Sequence, residues 1–375
     1  MKNNLFRLAA VCSFFMLAVT GLFAQQGQPS ALNVRGAQYP MVTPDSRVIF
    51  RIKAPEAQKM QIDLGRKYDM VKDAEGVWTV TTDPQGPGFH YYSLIVDGVA
   101  VADPAAETFY GMGRMASGVE IPFAGGEYYA LKDVPHGEVR YKRYYSNTTG
   151  SWRRMVVYTP PGYDADHSRK YPVLYLLHGG GEDERGWASQ GLTDLILDNL
   201  IAEGKAVPMV IVMVDGNVGS SASQNSYQRF EQEMLNDVIP FTERTYRVKS
   251  DAGSRALAGL SMGGLQTLAA GIPNTDVFNY LGIFSSGWFA GRPDATSEAN
   301  YAYMTANAGK IKGNLKAPIF IAVGDVEDGA HPNSADLKRR LDALGIPYTY
   351  YDYPGGHTWP VWRDNLYRFA QVLFK

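Results

Sequence analysis

A serine flanked by glycines, two late histidines and a cluster of carboxylates are the residues of this sequence whose types and spacing could do chemistry. Ser261 stands in Gly259-Leu260-Ser261-Met262-Gly263, after the strand-like run ALAGL (256–260) and before a helix-compatible stretch. In that context a G-x-S-x-G pattern lifts the hydroxyl above a sheet edge, and the glycines relieve the clash that a sharp turn would otherwise create. No Gly-Lys-Ser or Gly-Lys-Thr follows, and the glycine spacing does not match a dinucleotide fingerprint, so both phosphate-binding readings fall away. A serine hydroxyl is a poor nucleophile until a base takes its proton, so a histidine must follow it in the chain.

Only His331 and His357 come after Ser261. His357 lies in PGGHTWPVW, a glycine-rich loop between the strand-like YTYYDY and the final helical stretch, and is the better placed base. His331, in DGAHPNS, reads as a loop histidine. The acid that orients the base should lie between serine and histidine, at the end of the strand-like IFIAV. Asp325, Glu327 and Asp328 all occupy the loop GDVEDG there, and residue chemistry alone leaves the three open. A tetrahedral oxyanion also needs two donors. The Met262 amide is one, and Gly180 in LHGGGEDERGW (177–187) is the second, because glycines let backbone amides approach a substrate. His178 precedes the nucleophile and reads as a structural residue of that loop.

These residues need elements to position them. From 141 onward, strand-like runs at 155–159, 173–178, 209–216, 256–260, 280–286 and 319–325 alternate with helical stretches such as 192–204 and 334–345. Continuously apolar strands between amphipathic helices call for a parallel sheet covered on both faces. The expected fold of 141–375 is therefore α/β, of the α/β-hydrolase kind. Residues 31–122 differ: VIFRI, MQIDL, VWTVTT and FHYYSLIVDGVAV are short alternating runs, with Asp97-Gly98 as a hairpin turn. They point to an immunoglobulin-like β-sandwich, joined to the α/β domain by a linker at 123–140.

The 375 residues exceed what one core usually holds, in keeping with two domains. A net charge of −2 without a long basic run excludes a nucleic-acid partner gripped through its phosphates. Residues 1–24 have the charged, apolar and small-residue order of a signal peptide, which predicts a secreted or periplasmic protein. The single cysteine, Cys12, lies inside that segment, so the mature chain is expected to hold neither a disulfide nor a thiol nucleophile. No other stretch is long and apolar enough to span a membrane.

Taken together, LHGGGEDERGW, GLSMGG, GDVEDG and GGHTWPVW resemble carbohydrate esterase family 1, the feruloyl and acetylxylan esterases, in the family's own order over roughly 141–375. The resemblance implies Gly180 as oxyanion donor. It also favours Asp328, 29 residues before His357, over Asp325, 32 before, with Asp325 and Glu327 kept as alternatives. The front domain resembles carbohydrate-binding module family 48, although Trp78 and Tyr91 read as core residues there rather than as sugar platforms.

The implied protein is a secreted serine esterase that needs no metal or cofactor and hydrolyses feruloyl (hydroxycinnamoyl) esters on arabinoxylan-type plant cell-wall polysaccharide. Trp187, Trp288 and Trp359 are the expected aromatic slot for ferulate. Rival readings are an acetylxylan esterase with the same triad, an acyltransferase on the same scaffold, and a non-catalytic glycan-binding protein.

Overall fold

Residues 27–219, 225–292 and 294–375 are described by a computed structural model of the chain; the segment read as a signal peptide lies outside them. The chain divides into two units, one running through Phe109 and resuming at Met115–Phe123, the other comprising Tyr110–Arg114 and Ala124–Lys375.

The first unit is built from two antiparallel sheets. One contains Val48–Lys53 and Val77–Thr81, the other Met60–Leu64, Gly88–Val96 and Arg114–Ile121. Their alternating apolar residues meet in a shared core, with Phe50 and Trp78 from the first sheet and Ile62, Leu94 and Val119 from the second. Alternation makes each strand half-buried, which is what a sandwich requires. Asp97 and Gly98 both take positive φ, 49° and 90°, as a two-residue hairpin demands. Trp78 is buried and donates its indole N–H to the Ala54 carbonyl at 2.9 Å, so it serves the core.

In the second unit the strands are β1 (Glu138–Ser146), β2 (Ser151–Thr159), β3 (Val173–Leu177), β4 (Val210–Val214), β5 (Arg255–Leu260), β6 (Tyr280–Phe284), β7 (Ile319–Gly324) and β8 (Tyr348–Tyr353). They form one sheet in the order β1-β2-β4-β3-β5-β6-β7-β8. The first two pairings are antiparallel and the next pairings from β4-β3 onward are parallel. Every residue of β3 to β7 is buried, because helices cover both faces of a parallel sheet and leave no side for polar alternation. The helices used below are α1 (Thr193–Ala202), α2 (Asn225–Glu233), α3 (Ile239–Thr245), α4 (Met262–Gly271), α5 (Ala295–Asn314), α6 (His331–Leu344) and α7 (Trp359–Ala370).

The structure shifts two expectations. The linker expected at 123–140 contains a 3-10 turn at Gly126–Tyr129, and β1 begins at Glu138 rather than at Tyr141. The nine-residue pairing with β2 extends β1 backwards, a long-range effect that the mixed polarity of Glu138, Val139 and Arg140 conceals. His331, expected in a loop, is the first residue of α6, and its Nε2 lies 3.7 Å from an Asp352 carboxylate oxygen. Among the described residues, no helix is long and apolar enough to cross a membrane.

Candidate active site

Register places the carboxyl ends of the parallel strands side by side: Leu177 pairs with Gly259, Leu260 with Phe284, Phe284 with Ala322 and Gly324 with Tyr353. The segments leaving those ends carry Gly180, Ser261, Ser285, Asp328 and His357. In an open α/β sheet this edge is where ligands bind.

Ser261 sits between β5 and α4 with φ 51° and ψ −113°, a strained conformation for a side-chain-bearing residue. Neighbouring groups hold it there. Its N–H donates to the Phe284 carbonyl at 2.9 Å, and its carbonyl accepts from the Ser286 hydroxyl at 2.7 Å and from the Gly264 amide at 3.0 Å. The glycines are sterically required: a Cβ on Gly259 would lie 2.5 Å from the Gly263 carbonyl carbon, and one on Gly263 would lie 2.7 Å from the carbonyl oxygens of Leu177 and His178. Gly263→Ala is therefore expected to lower Tm by roughly 5–10 °C through overpacking, as thermal unfolding followed by circular dichroism would measure.

His357 follows β8 and donates or accepts through Nδ1 at 2.8 Å from Asp328 Oδ1. With the carboxylate ionised the imidazole donates, which leaves Nε2 unprotonated to take a proton. Asp328 is buried, and it also accepts from the Ala330 amide at 2.9 Å and the Gly324 amide at 3.1 Å. Burial alone would raise its pKa, but the His357 hydrogen bond and the backbone donor outweigh it and hold the carboxyl below its ordinary value. Of the three carboxylates in GDVEDG, only Asp328 is brought to the histidine. Asp325 instead accepts from the Gly355 amide at 3.2 Å, tying the two loops together, and Glu327 is exposed.

Gly180 lies in the loop after β3, where a Cβ would meet nothing within 4 Å, so its backbone borders open space. The adjoining Gly179 presses on the serine turn: a Cβ there would come 3.5 Å from Ser261 Cβ. Met262 is the first residue of α4, whose unpaired amides and positive dipole end favour a developing negative charge. His178 is buried; its Nε2 accepts from the Gly216 amide at 2.9 Å and its Nδ1 meets the Gly179 carbonyl at 2.7 Å, consistent with a structural role in that loop.

The three tryptophans expected to border the substrate do not. Trp187, Trp288 and Trp359 are each at most 2% exposed. Trp187 donates to the Leu177 carbonyl at 2.8 Å, Trp288 to Asn300 at 3.0 Å, and Trp187 stacks edge-on against Trp359. Large rings beside a loop gain more from filling the space beneath it than from lining its mouth. The cavity that contains Ser261 and His357, about 300 Å³, is lined instead by Leu265, Phe289, Ala330, Asn333 and the segment Ser285 to Gly287. Trp362 flanks His357 edge-on, with ring centroids 5.1 Å apart. Sequence reading missed Phe289, Asn333, Ser286 and Trp362 as site residues. A signal existed, because all four lie in the loops or first helical turns after the carboxyl ends of strands, but burial and direction decide which of many such residues come to the site.

The sheet order and the serine, histidine and carboxylate at its carboxyl edge define an α/β-hydrolase-fold carboxylic-ester hydrolase. The chain belongs to the esterase family whose model, described as "Putative esterase", matches residues 146–371. It is 35% identical over 361 residues to an endo-1,4-beta-xylanase/feruloyl esterase of Xylanibacter ruminicola, a match covering 92% of this chain and 47% of that protein. The chain thus spans about half the length of that relative. A ferulic acid esterase of Anaeromyces mucronatus in complex with ferulic acid superposes with a TM-score of 0.57 at 25% identity, covering 66% of this chain and 94% of that one. The enterochelin esterase of Shigella flexneri, at TM-score 0.66 and 18% identity over 89% of this chain and 94% of that one, shows the fold alone. The carbohydrate esterase family 1 resemblance holds; the carbohydrate-binding-module likeness of the front unit gains nothing from these matches.

Proposed function

We propose that the protein is a secreted serine esterase that removes hydroxycinnamoyl groups, chiefly ferulate, from arabinoxylan-type polysaccharide. Ser261 Oγ attacks the ester carbonyl while His357 Nε2 takes its proton, and the amides of Gly180 and Met262 receive the oxyanion. Collapse of the tetrahedral intermediate breaks the ester C–O bond, and His357 returns the proton to the departing sugar alkoxide. Water then attacks the acyl-serine through the same base, giving free acid and regenerated serine. Asp328 keeps His357 in the tautomer that both steps need.

The observation that carries the acyl preference is the cavity beside Ser261. Its volume of about 300 Å³ and its walls of Leu265, Phe289 and Ala330 suit a planar aromatic acyl group, whereas an acetyl group would leave it mostly empty. Asn333 Oδ1 accepts from the Ala290 amide at 2.9 Å, which leaves its NH2 group as a donor for a phenol or methoxy oxygen. The similarity to proteins described as feruloyl esterases supports the same reading.

A substrate panel tests it. Methyl ferulate and native arabinoxylan are expected to release ferulate, with acetate leaving acetylated xylan more slowly. Phe289→Ala should raise KM for methyl ferulate by roughly tenfold or more while changing 4-nitrophenyl acetate hydrolysis little, as expected for loss of one apolar wall. Faster release of acetate than of ferulate would replace this reading with the acetylxylan esterase.

A further inference from the structure

Three of the largest exposed aromatic side chains in the described structure sit on one short hairpin: Tyr141 is 67%, Tyr145 50% and Trp152 71% exposed. They belong to β1 and β2. Register pairs Tyr145 with Trp152, Arg143 with Arg154 and Tyr141 with Val156. Residues directly opposite share a face and successive residues alternate, so Tyr141, Arg143, Tyr145, Trp152 and Arg154 form one outward face. Tyr141 and Tyr145 stand about 14 Å apart along the strand at a rise of about 3.4 Å per residue. Tyr145 and Trp152 are in edge contact with centroids 5.8 Å apart, at the hairpin's turn end. Exposed rings grouped in this way have an energetic cost in water that a binding partner removes.

The opposite face of the hairpin is anchored. Tyr144 donates to Glu233 at 2.5 Å, Arg153 pairs with the same carboxylate at 2.6 Å, and Asp237 accepts from the Asn147 and Thr148 amides of the turn at 2.9 and 3.0 Å. The aromatic face is therefore held in place before any ligand arrives, which lowers the ordering cost of binding. A cavity of about 270 Å³ adjoins it, lined by Tyr141, Lys142, Arg143, Arg154, Met155 and Glu184. Glu184 belongs to the loop that carries Gly180, and it pairs with Arg154 at 2.7 Å. Lys142 and Arg143 have no ion pair among the described residues. Three cations against one carboxylate leave the lining at plus two, in a chain whose net charge is −2.

We propose that this face and the cavity beside it bind a xylan chain bearing carboxylate side groups, with the rings of Tyr141, Tyr145 and Trp152 taking the apolar faces of the sugars, and Arg143 on the face and Lys142 in the cavity lining taking the uronate groups. The planar rings match pyranose C–H faces, and the uncompensated positive charge selects an acidic polymer over a neutral one. The platform ends at the loop of the oxyanion donor, so the polymer is retained next to the ester-cleaving site. The inference rests on the polysaccharide-ester reading above.

The test measures binding of the Ser261→Ala protein, which cannot consume its ligand, to glucuronoxylan by affinity electrophoresis, at low and high salt. Tyr145→Ala/Trp152→Ala added to it should weaken binding by roughly tenfold or more. Lys142→Ala/Arg143→Ala should weaken it less and remove most of its salt dependence. The same pairs of substitutions in the active protein should leave kcat/KM for methyl ferulate unchanged, since none of the four residues lines the Ser261 cavity, and this also reports intact folding. Undiminished glucuronoxylan binding by the aromatic double variant would overturn the proposal. So would equal binding to neutral linear xylan, or a dimer in light scattering that Trp152→Ala dissociates, which would make the face a self-interface. Failure of the parent to release ferulate from methyl ferulate would instead sink the esterase reading, whatever the binding result.

Discussion

Ser261→Ala is expected to lower kcat for methyl ferulate by about 10⁶-fold, the scale on which serine hydrolases depend on their nucleophile. The expectation follows from geometry rather than from the motif alone. Ser261 is held at φ 51° by hydrogen bonds from Ser286 and the Gly264 amide to its carbonyl and from its own amide to Phe284, none of which uses the side chain. Removing Oγ therefore removes the nucleophile without releasing the turn, and Tm should change little. Rates are to be read from ferulate release by chromatography, with unfolding curves beside them. Retention of more than about a hundredth of the activity would exclude Ser261 as nucleophile, because oxyanion donors and binding alone leave a residue of only about 10³–10⁴ over the uncatalysed reaction.

The second large effect separates the carboxylates of one loop. Asp328→Asn is expected to cost about 10⁴-fold in kcat, since an amide at that position can hold the imidazole in the wrong tautomer. Asp325→Asn should cost far less in rate and act mainly on stability, because Asp325 ties the Gly355 amide and does not touch His357. Stability should also show a pH signature. The Asp328 carboxyl lies below its ordinary value in the folded protein, so its ionic contacts stabilise the fold fully above an unfolded pKa of about 3.9 and are lost as pH falls through the lower folded value. The Tm difference between the parent and Asp328→Asn should accordingly shrink below about pH 4. Equal losses of kcat from Asp325→Asn and Asp328→Asn would mean that the loop, and not one carboxylate, orients the base.

Much of this site was legible because chemistry restricts residue types. A nucleophile at a strand-to-helix turn requires small neighbours, and Gly259 and Gly263 prove to touch each other and the end of β3. A base must follow it in this chain order, and only two histidines do. The strands of the parallel sheet were equally visible, since β3 to β7 are buried on both faces and read as unbroken apolar runs. The start of β1 was not, because Glu138 to Arg140 are strand only by pairing with β2.

By itself, then, the order of residues determined the fold class, the turn around Ser261, the histidine and the short acidic loop, all of which are local patterns constrained by backbone sterics and by hydrophobic periodicity. The motif resemblance favoured Asp328 and the folded chain brings it to His357; tertiary structure alone decided why Trp187, Trp288 and Trp359 lie in the core while Phe289 faces the cavity, and that Tyr141, Tyr145 and Trp152 share an exposed face. Those outcomes depend on direction and burial, set by strand register and by packing between segments distant in sequence, as in the Arg363 bond to the Gln190 carbonyl 173 residues away. A one-dimensional pattern names the groups; only the folded chain fixes the few ångströms between them.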